Sequence, residues 1–154
     1  WWLFPYLLLY TGMRRGEALA LTYADIDRKA GVIHVTKKLS YAMGQFPKLE
    51  DHLKSENGNR KIPLLAPLAD ALPRNRVGLI FPGADGGYMR AGEITRNWRK
   101  YCRDVGLNEI IQTSDGATHE TFPITPHCFR HSFATICYEA GLDPRQAVQG
   151  QCQL

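Results

Sequence analysis

The spacing of apolar residues along this chain predicts more helix than strand. Five stretches are predicted to be helices, and in three of them (14–21, 93–105 and 125–140) apolar side chains recur three or four positions apart, as they do on the buried face of a helix. The approximate ranges are 1–10, 14–21, 66–72, 93–105 and 125–140. Thr11-Gly12 is expected to end the first helix and Gly141 to cap the last. Asp143-Pro144 predicts that a further helix begins there.

Two short strands are predicted from alternating apolar and polar residues. The first covers 31–38 and the second covers 61–65, where Pro63 restricts the strand to an edge or an end. A long polar insertion separates them, and its Asn57-Gly58 pair is typical of a tight turn. Residues 25–31 are expected to form a turn and residues 108–122 a mobile polar loop. The predicted fold class is therefore α+β, mainly helical, with a small antiparallel sheet near residues 31–65.

Composition limits the functional classes. The 154 residues suffice for one domain with a core, and the net charge of +4 permits a polyanionic partner without requiring one. The four cysteines lack metal-site spacing, and the glycine-rich loop after Pro82 lacks a nucleotide-binding motif. No run approaches the roughly 18 apolar residues of a membrane span. These features lead us to expect reduced thiols and a cytoplasmic location, with no metal or cofactor.

His127 and Arg130 form the first candidate site. Thr125 and Pro126 are typical of a helix start, and residues three apart project from the same side of the first turns. Free backbone N–H groups at that helix end attract anions, so a phosphate site is predicted. A capped helix with two solvated polar residues is the alternative, and for this motif alone it is the commoner case. The predicted buried face of this helix consists of Phe129, Phe133, Ile136, Cys137 and Ala140.

Arg14 and Lys54 are further candidates upstream. Arg14 and Glu17 are three apart on a predicted helix and can pair, which would fix the guanidinium. The alternative is a weak surface ion pair. Lys54 lies before the predicted hairpin tip, where a flexible ammonium could reach a ligand, although any single lysine is usually just solvated.

A basic helix face is a candidate contact to nucleic acid. It presents Arg96, Arg99, Lys100 and Arg103, and Arg60 in the polar insertion is grouped with them. Such residues can touch a phosphate backbone, but a solvated basic face is about as common.

Three motifs in order resemble the catalytic domain of the tyrosine recombinases, the phage-integrase family. They are Thr11-Gly-Met-Arg-Arg-Gly-Glu17, Lys54-Ser-Glu-Asn-Gly-Asn-Arg60 with Lys-Ile-Pro-Leu after it, and Thr125-Pro-His-Cys-Phe-Arg-His131. The resemblance implies catalytic roles for Arg14, Lys54, His127 and Arg130, with Glu17 as a buried supporter. Each motif is weak alone, but three in order at domain-like spacing are specific.

The resemblance also implies a reaction. The two arginines would hold the non-bridging oxygens of a DNA phosphate, because guanidinium forks match phosphate geometry. Lys54 would protonate the leaving 5′ oxygen, and His127 would bind the phosphate and help take a tyrosine proton. The tyrosine would form a 3′-phosphotyrosyl bond that stores the energy for rejoining, without a metal.

The chain departs from the family pattern near its C-terminus. Gly150-Gln151 matches the family's Gly-His motif poorly, and no tyrosine follows Tyr138, which is expected to be packed rather than reactive. Ser55 replaces the commoner threonine, and residues 1–154 are expected to lack the family's N-terminal DNA-clamping domain. Residues 1–154 are thus expected to be a catalytic domain without its nucleophile segment.

Three functions remain open at this point. The first is a site-specific recombinase that acts on double-stranded DNA, as an oligomer when full-length, with this piece inactive alone. The second is a DNA-binding module without chemistry, and the third is a protein-interaction domain with a fortuitous arginine cluster. Convergence of the candidate side chains on one anion-sized pocket would favour the first two. Phosphate contacts carry no base information, so the target sequence is not predicted.

Overall fold

The computed structural model of the protein describes residues 1–41, 46–51 and 59–143. Its α-helices are α1 (Leu3–Thr11), α2 (Arg15–Ala20), α3 (Ala66–Ala71), α4 (Ala91–Asp104) and α5 (Pro126–Glu139), and a 3₁₀ turn covers Tyr23–Asp25. Its strands are β1 (Ile26–Asp27), β2 (Val32–Val35), β3 (Lys37–Ser40), β4 (Lys48–Asp51), β5 (Arg60–Pro63), β6 (Glu109–Gln112) and β7 (Thr118–Thr121). Lys54, the Asn57-Gly58 turn and the helix predicted after Asp143 lie outside the described residues.

All five predicted helices are present, and their ends follow local rules. Gly12 adopts φ +58° after α1 and donates its backbone N–H to the carbonyl of Leu8. Thr125 is extended and Pro126 occupies the first helical position of α5, where a missing N–H is harmless. Gly141 follows α5 with φ +76°, a conformation that glycine adopts readily.

The predicted sheet is present but is divided into two parts. One sheet has the antiparallel order β1-β2-β5, with Ile33 opposite both Ile26 and Ile62, so β5 lies at an edge as Pro63 requires. Strand β2 ends before Thr36, and the next strand, β3, pairs with β4 rather than extending the first sheet. The prediction of one strand over 31–38 was therefore wrong in length. Strand β4 was not predicted because three of its four residues are charged.

Residues 109–121 form a hairpin rather than the loop that the sequence predicted. Strands β6 and β7 pair antiparallel, with Glu109 opposite Thr121. Neither strand buries a face, and Ile110 and Ile111 are 63% and 46% exposed. The alternation that identifies half-buried strands is consequently missing, which explains the error.

The core joins α1 and α2 to the sheet and to α4. Phe4, Leu7 and Leu19 are fully buried within it. Trp98 of α4 connects this core to the last helix, because its Nε1 donates to the carbonyl of Ile124 at 2.9 Å. The Trp98 ring also meets Phe129 edge-on, with centroids 5.9 Å apart. These contacts fix where α5 begins. No helix in the described ranges is long and apolar enough to cross a membrane.

The predicted buried face of α5 is only partly buried. Cys137 is buried and Phe129 and Phe133 are half-buried, but Ile136 is 53% exposed and Ala140 is exposed. The helix approaches the end of α1 where the Phe133 ring lies against Gly12, whereas its C-terminal half borders an open apolar groove of about 370 Å³ shared with α1 and β5.

Tyr138 also departs from expectation. It is 72% exposed on α5, so the prediction that it is packed was wrong. The physical reason is that it follows Cys137, the buried residue of α5, by one position, which turns its side chain about 100° away from that residue.

Replacing Gly16 with alanine should destabilise the protein by about 1–3 kcal/mol, the usual range for overpacking. An added Cβ would lie 2.3 Å from the carbonyl oxygen of Leu39 in β3. Gly92, the exposed second residue of α4, is the matched control, because Gly16 is the second residue of α2. Gly92→Ala should be neutral or stabilising, since alanine favours helix. Urea unfolding would measure both, and a stable Gly16→Ala variant would contradict the close packing of α2 on β3.

Candidate active site

Glu17 lies at the centre of the candidate site. Its side chain is only 1% exposed, and its Oε2 accepts the backbone N–H of Arg14 at 2.8 Å. The Nη1 of Arg14 lies 3.4 Å from Oε1, so the pair expected from the spacing of three is present. The Arg14 side chain nevertheless stays 65% exposed. Its guanidinium thus projects from the buried carboxylate toward solvent.

Arg60 is the stronger partner of Glu17, and sequence reasoning missed this pair. Its Nη1 donates to Oε1 at 3.0 Å and its Nη2 to Oε2 at 2.7 Å, a bidentate arrangement. The Arg60 side chain is 7% exposed. Its assignment as a DNA contact stays a prediction, now for a side chain that is mostly covered.

The two arginines keep Glu17 ionised. Burial acts to raise the pKa of the Glu17 carboxyl, but the hydrogen bonds and charge of Arg60 oppose it, as do the backbone N–H and charge of Arg14. The balance lowers the pKa below its usual value. A charged carboxylate is therefore held inside the protein at neutral pH.

Arg130 reaches the same region from α5. Its Nη1 donates to the carbonyl of Gly12, the residue that ends α1 two positions before Arg14. Burial lowers the pKa of Arg130, and the positive charges of Arg14 and Arg60 lower it further, while Glu17 opposes them. The Arg130 guanidinium therefore lies close enough to Arg14, Glu17 and Arg60 for their charges to act on it.

His127 occupies the first turn of α5 and is exposed. Its ring meets that of His131 edge-on with centroids 4.5 Å apart. Desolvation lowers the pKa of His127, followed by the charges of His131, Arg130 and Arg14. Its neutral form is thus favoured near pH 7.

The structure brings together three of the four predicted catalytic side chains. Arg14, Arg130 and His127 come from the start of α2 and the first turns of α5, which meet at Gly12. Lys54 lies outside the described residues, in the connection from β4 to β5. The catalytic roles of all four, and the supporting role of Glu17, stay predictions.

Two of the predicted DNA contacts on α4 have acidic neighbours. Lys100 pairs with Asp104 at 2.8 Å. Arg103 makes a bidentate contact with Glu120 of β7, at 2.8 and 2.5 Å. To bind a phosphate, Lys100 and Arg103 would have to release these carboxylates or share their donors with them.

The other two form no ion pair among the described residues, although the charge of Arg99 acts on the Glu120 carboxyl. Arg99 stacks on Phe122, with its guanidinium carbon 5.4 Å from the ring centroid. Arg96 is exposed and forms no ion pair with the part of the chain that the structure describes. Within the same residues, no group of three His, Cys, Asp or Glu side chains could hold a metal ion.

One signal in the sequence could have revealed the Arg60 contact. Glu17 belongs to the apolar set of α2, beside Ala18, and a buried carboxylate requires a cation. The spacing suggested Arg14 alone, because Arg60 is 43 positions away. The Gly12 carbonyl, which accepts from Arg130, carried no signal of its own.

Comparisons with known proteins find similar proteins over most of this chain. A sequence model described as the phage integrase family matches residues 3–151. The tyrosine recombinase XerC of Agrobacterium fabrum is 30% identical, over 96% of this chain and 41% of that protein. The transposase from transposon Tn916 of Enterococcus faecalis is 25% identical, over 96% of this chain and 38% of that protein.

The fold is shared with solved structures. The Tn1549 transposon integrase, in complex with circular intermediate DNA, matches with a TM-score of 0.66 and 27% identity over 97% of this chain and 51% of that one. The XerA recombinase matches with a TM-score of 0.57 at 23% identity, which shows the fold alone. The predicted α+β class is confirmed. The chain spans about two-fifths of the length of the curated relatives it matches, at 38% and 41%.

Glu17→Gln should remove part of the pH dependence of stability. The folded-state pKa of Glu17 is lowered, so its contribution is present above the unfolded value of about 4.3 and is lost as pH falls through the folded value. At pH 7 the variant should be about 3 kcal/mol less stable, because Arg60 loses its buried partner. This difference should shrink toward pH 3.

Urea unfolding between pH 7 and pH 3 would measure this difference. Glu109→Gln is the control, since Glu109 is exposed, and it should match the wild type at every pH. A Glu17→Gln deficit that stayed constant with pH would show that the Glu17 charge is not what stabilises the fold.

Proposed function

Because the chain belongs to the phage integrase family, we propose that residues 1–154 form part of the catalytic domain of a site-specific DNA recombinase. The observation that carries this proposal is the hydrogen bond from Arg130 to the Gly12 carbonyl, which places Arg130 within electrostatic reach of both Arg14 and His127. The proposed reaction breaks and rejoins DNA strands through a 3′-phosphotyrosyl intermediate.

The two arginines suit the binding of a phosphodiester. Arg14 is mostly exposed, and Arg130 uses one of its donors on the Gly12 carbonyl, which orients the rest of its guanidinium. Five fixed N–H donors make arginine well matched to phosphate oxygens. Charge that develops on those oxygens during attack would meet preorganised donors, an effect worth about 3 kcal/mol for each donor removed.

His127 suits proton transfer at the same phosphate. Desolvation and then the nearby positive charges lower its pKa and favour the neutral imidazole, which can donate one hydrogen bond and accept another. We assign it to the phosphate and to the proton of the attacking tyrosine.

The remaining roles come from the family resemblance. Lys54 is proposed to protonate the 5′ oxygen as it leaves phosphorus, because it lies in the lysine-bearing motif. The tyrosine oxygen would attack phosphorus and form the phosphotyrosyl bond. Attack by a 5′ hydroxyl would then restore the DNA and release the tyrosine. Charge stabilisation by the arginines gives this scheme no step that needs a metal.

Double-stranded DNA is the proposed partner. The Tn1549 integrase was solved with DNA, and this chain has a net charge of +4. Arg96 and Arg99 are the better candidates for backbone contacts on α4, because Lys100 and Arg103 are already paired with carboxylates. An oligomer on DNA and a cytoplasmic location are proposed for the full-length protein.

Arg130→Ala should weaken phosphate binding by roughly tenfold or more, since it removes charged hydrogen bonds. Titration of this chain with inorganic phosphate, followed by the guanidinium NMR signals of Arg14, would measure the dissociation constant. Arg130→Lys keeps the charge without the fork and should lie between the alanine variant and wild type. Arg76→Met, an exposed arginine outside the site, is the control for lost charge. Equal effects from Arg76→Met and Arg130→Ala would contradict a localised site.

The chemical step requires the full-length protein. Incubation with a pool of nicked duplexes of random sequence should yield a protein–DNA adduct that survives denaturation, and Arg130→Ala should lower its yield at least about 100-fold. Duplex binding without any adduct would instead identify a DNA-binding module.

A further inference from the structure

Glu17 lies between two arginines that hold it unequally. Arg60 contacts both carboxylate oxygens, at 2.7 and 3.0 Å, with a side chain that is 7% exposed. Arg14 offers its guanidinium to one oxygen at 3.4 Å and remains 65% exposed. The buried Arg60 thus neutralises the carboxylate, and the positive charge of the exposed Arg14 remains available to other partners.

We propose that Arg60 is a positioning residue, which neutralises Glu17 so that the guanidinium of Arg14 stays available to a phosphate. This inference rests on the proposed function, because it assigns Arg14 to phosphate. It gives Arg60 a role through Glu17 rather than through DNA.

The occupancy of the carboxylate supports this role. Glu17 has two oxygens, and Arg60 holds one donor against each of them. Oε2 also accepts the backbone N–H of Arg14 at 2.8 Å, which holds the start of α2 in place. The Arg14 guanidinium is left with the longest of these contacts, so it can exchange it for a ligand at little cost.

Arg60 is well placed to hold this position rigidly. It begins β5, where it stands opposite Val35 of β2 in the antiparallel sheet. The described hydrogen bonds of its guanidinium all go to Glu17, and its buried Nε has no acceptor among the described residues. Strand β5 therefore holds the positive charge of Arg60 in a fixed position on the buried side of the site.

Loss of Arg60 would make Glu17 a competitor for phosphate. A carboxylate at 1% exposure needs a cation, and Arg14 is three residues away on the same helix turn. Its guanidinium would turn inward and pair with both oxygens, as arginine does with carboxylates generally. An arginine held in that way cannot offer the same fork to a phosphate.

Arg60→Met tests this, with Glu17→Gln/Arg60→Met as the rescue. The single variant removes the bidentate partner of the carboxylate and should weaken the affinity for inorganic phosphate about tenfold or more. The double variant removes both charges, leaves nothing to capture Arg14, and should return within about threefold of wild type. If Arg60 only stabilised the fold, the double variant should instead bind phosphate more weakly than Arg60→Met, because it has lost more contacts.

The measurement is a phosphate titration followed by the Arg14 guanidinium NMR signals, with thermal unfolding of each variant. Arg76→Met is the control for a lost positive charge and should bind as wild type. If Arg60→Met does not fold, Arg60→Lys replaces it. Lysine keeps the charge of Arg60 but not its bidentate contact with Glu17. The Arg60→Lys variant should therefore bind phosphate several-fold more weakly than the double variant.

The outcomes separate the two proposals. If the wild type binds phosphate and Arg60→Met binds it equally well, the positioning role is overturned and the proposed function stays intact. The same holds if the double variant does not recover the affinity that Arg60→Met has lost. A wild-type chain whose Arg14 signals ignore phosphate would overturn the proposed function, and this inference with it.

Discussion

The structure depends on the neutralisation of one buried carboxylate. Glu17 sits inside the protein at 1% exposure, where an unpaired charge would be strongly unfavourable. Arg60 supplies the opposite charge from the sheet, and the backbone of Arg14 supplies a further donor. This requirement joins β5 to the start of α2. It also explains why a charged residue can occupy a position in the apolar set of a helix.

The second constraint is the close approach of α5 to the end of α1. Gly12 has a left-handed backbone, and a Cβ there would lie 2.3 Å from the ring of Phe133. The same residue offers its carbonyl to Arg130. A single glycine thus permits both the helix end and the contact that carries Arg130 toward Arg14. Because Trp98 holds the residue before Thr125, the first turn of α5 is fixed from two sides.

These two junctions account for the electrostatics of the candidate site. Positive charge gathers where α2 meets α5, and Glu17 partly offsets it there. On α4, by contrast, Lys100 and Arg103 are already matched by Asp104 and Glu120. The phosphate binding that we propose therefore depends on the candidate site more than on the basic face of α4, which agrees with a net charge of only +4.

The helices and the candidate arginines could be predicted from sequence, because periodicity, Gly12 and Pro126 act locally, and the three motifs resemble one family. The hairpin of β6 and β7 could not, since its exposed Ile110 and Ile111 leave no alternating pattern. Nor could the Glu17–Arg60 pair, whose members are 43 positions apart. Sequence by itself determined which side chains have the chemistry for a phosphate. Only the tertiary structure decided which arginine faces the carboxylate and which faces solvent, because that division depends on how β5 and α5 pack against α2.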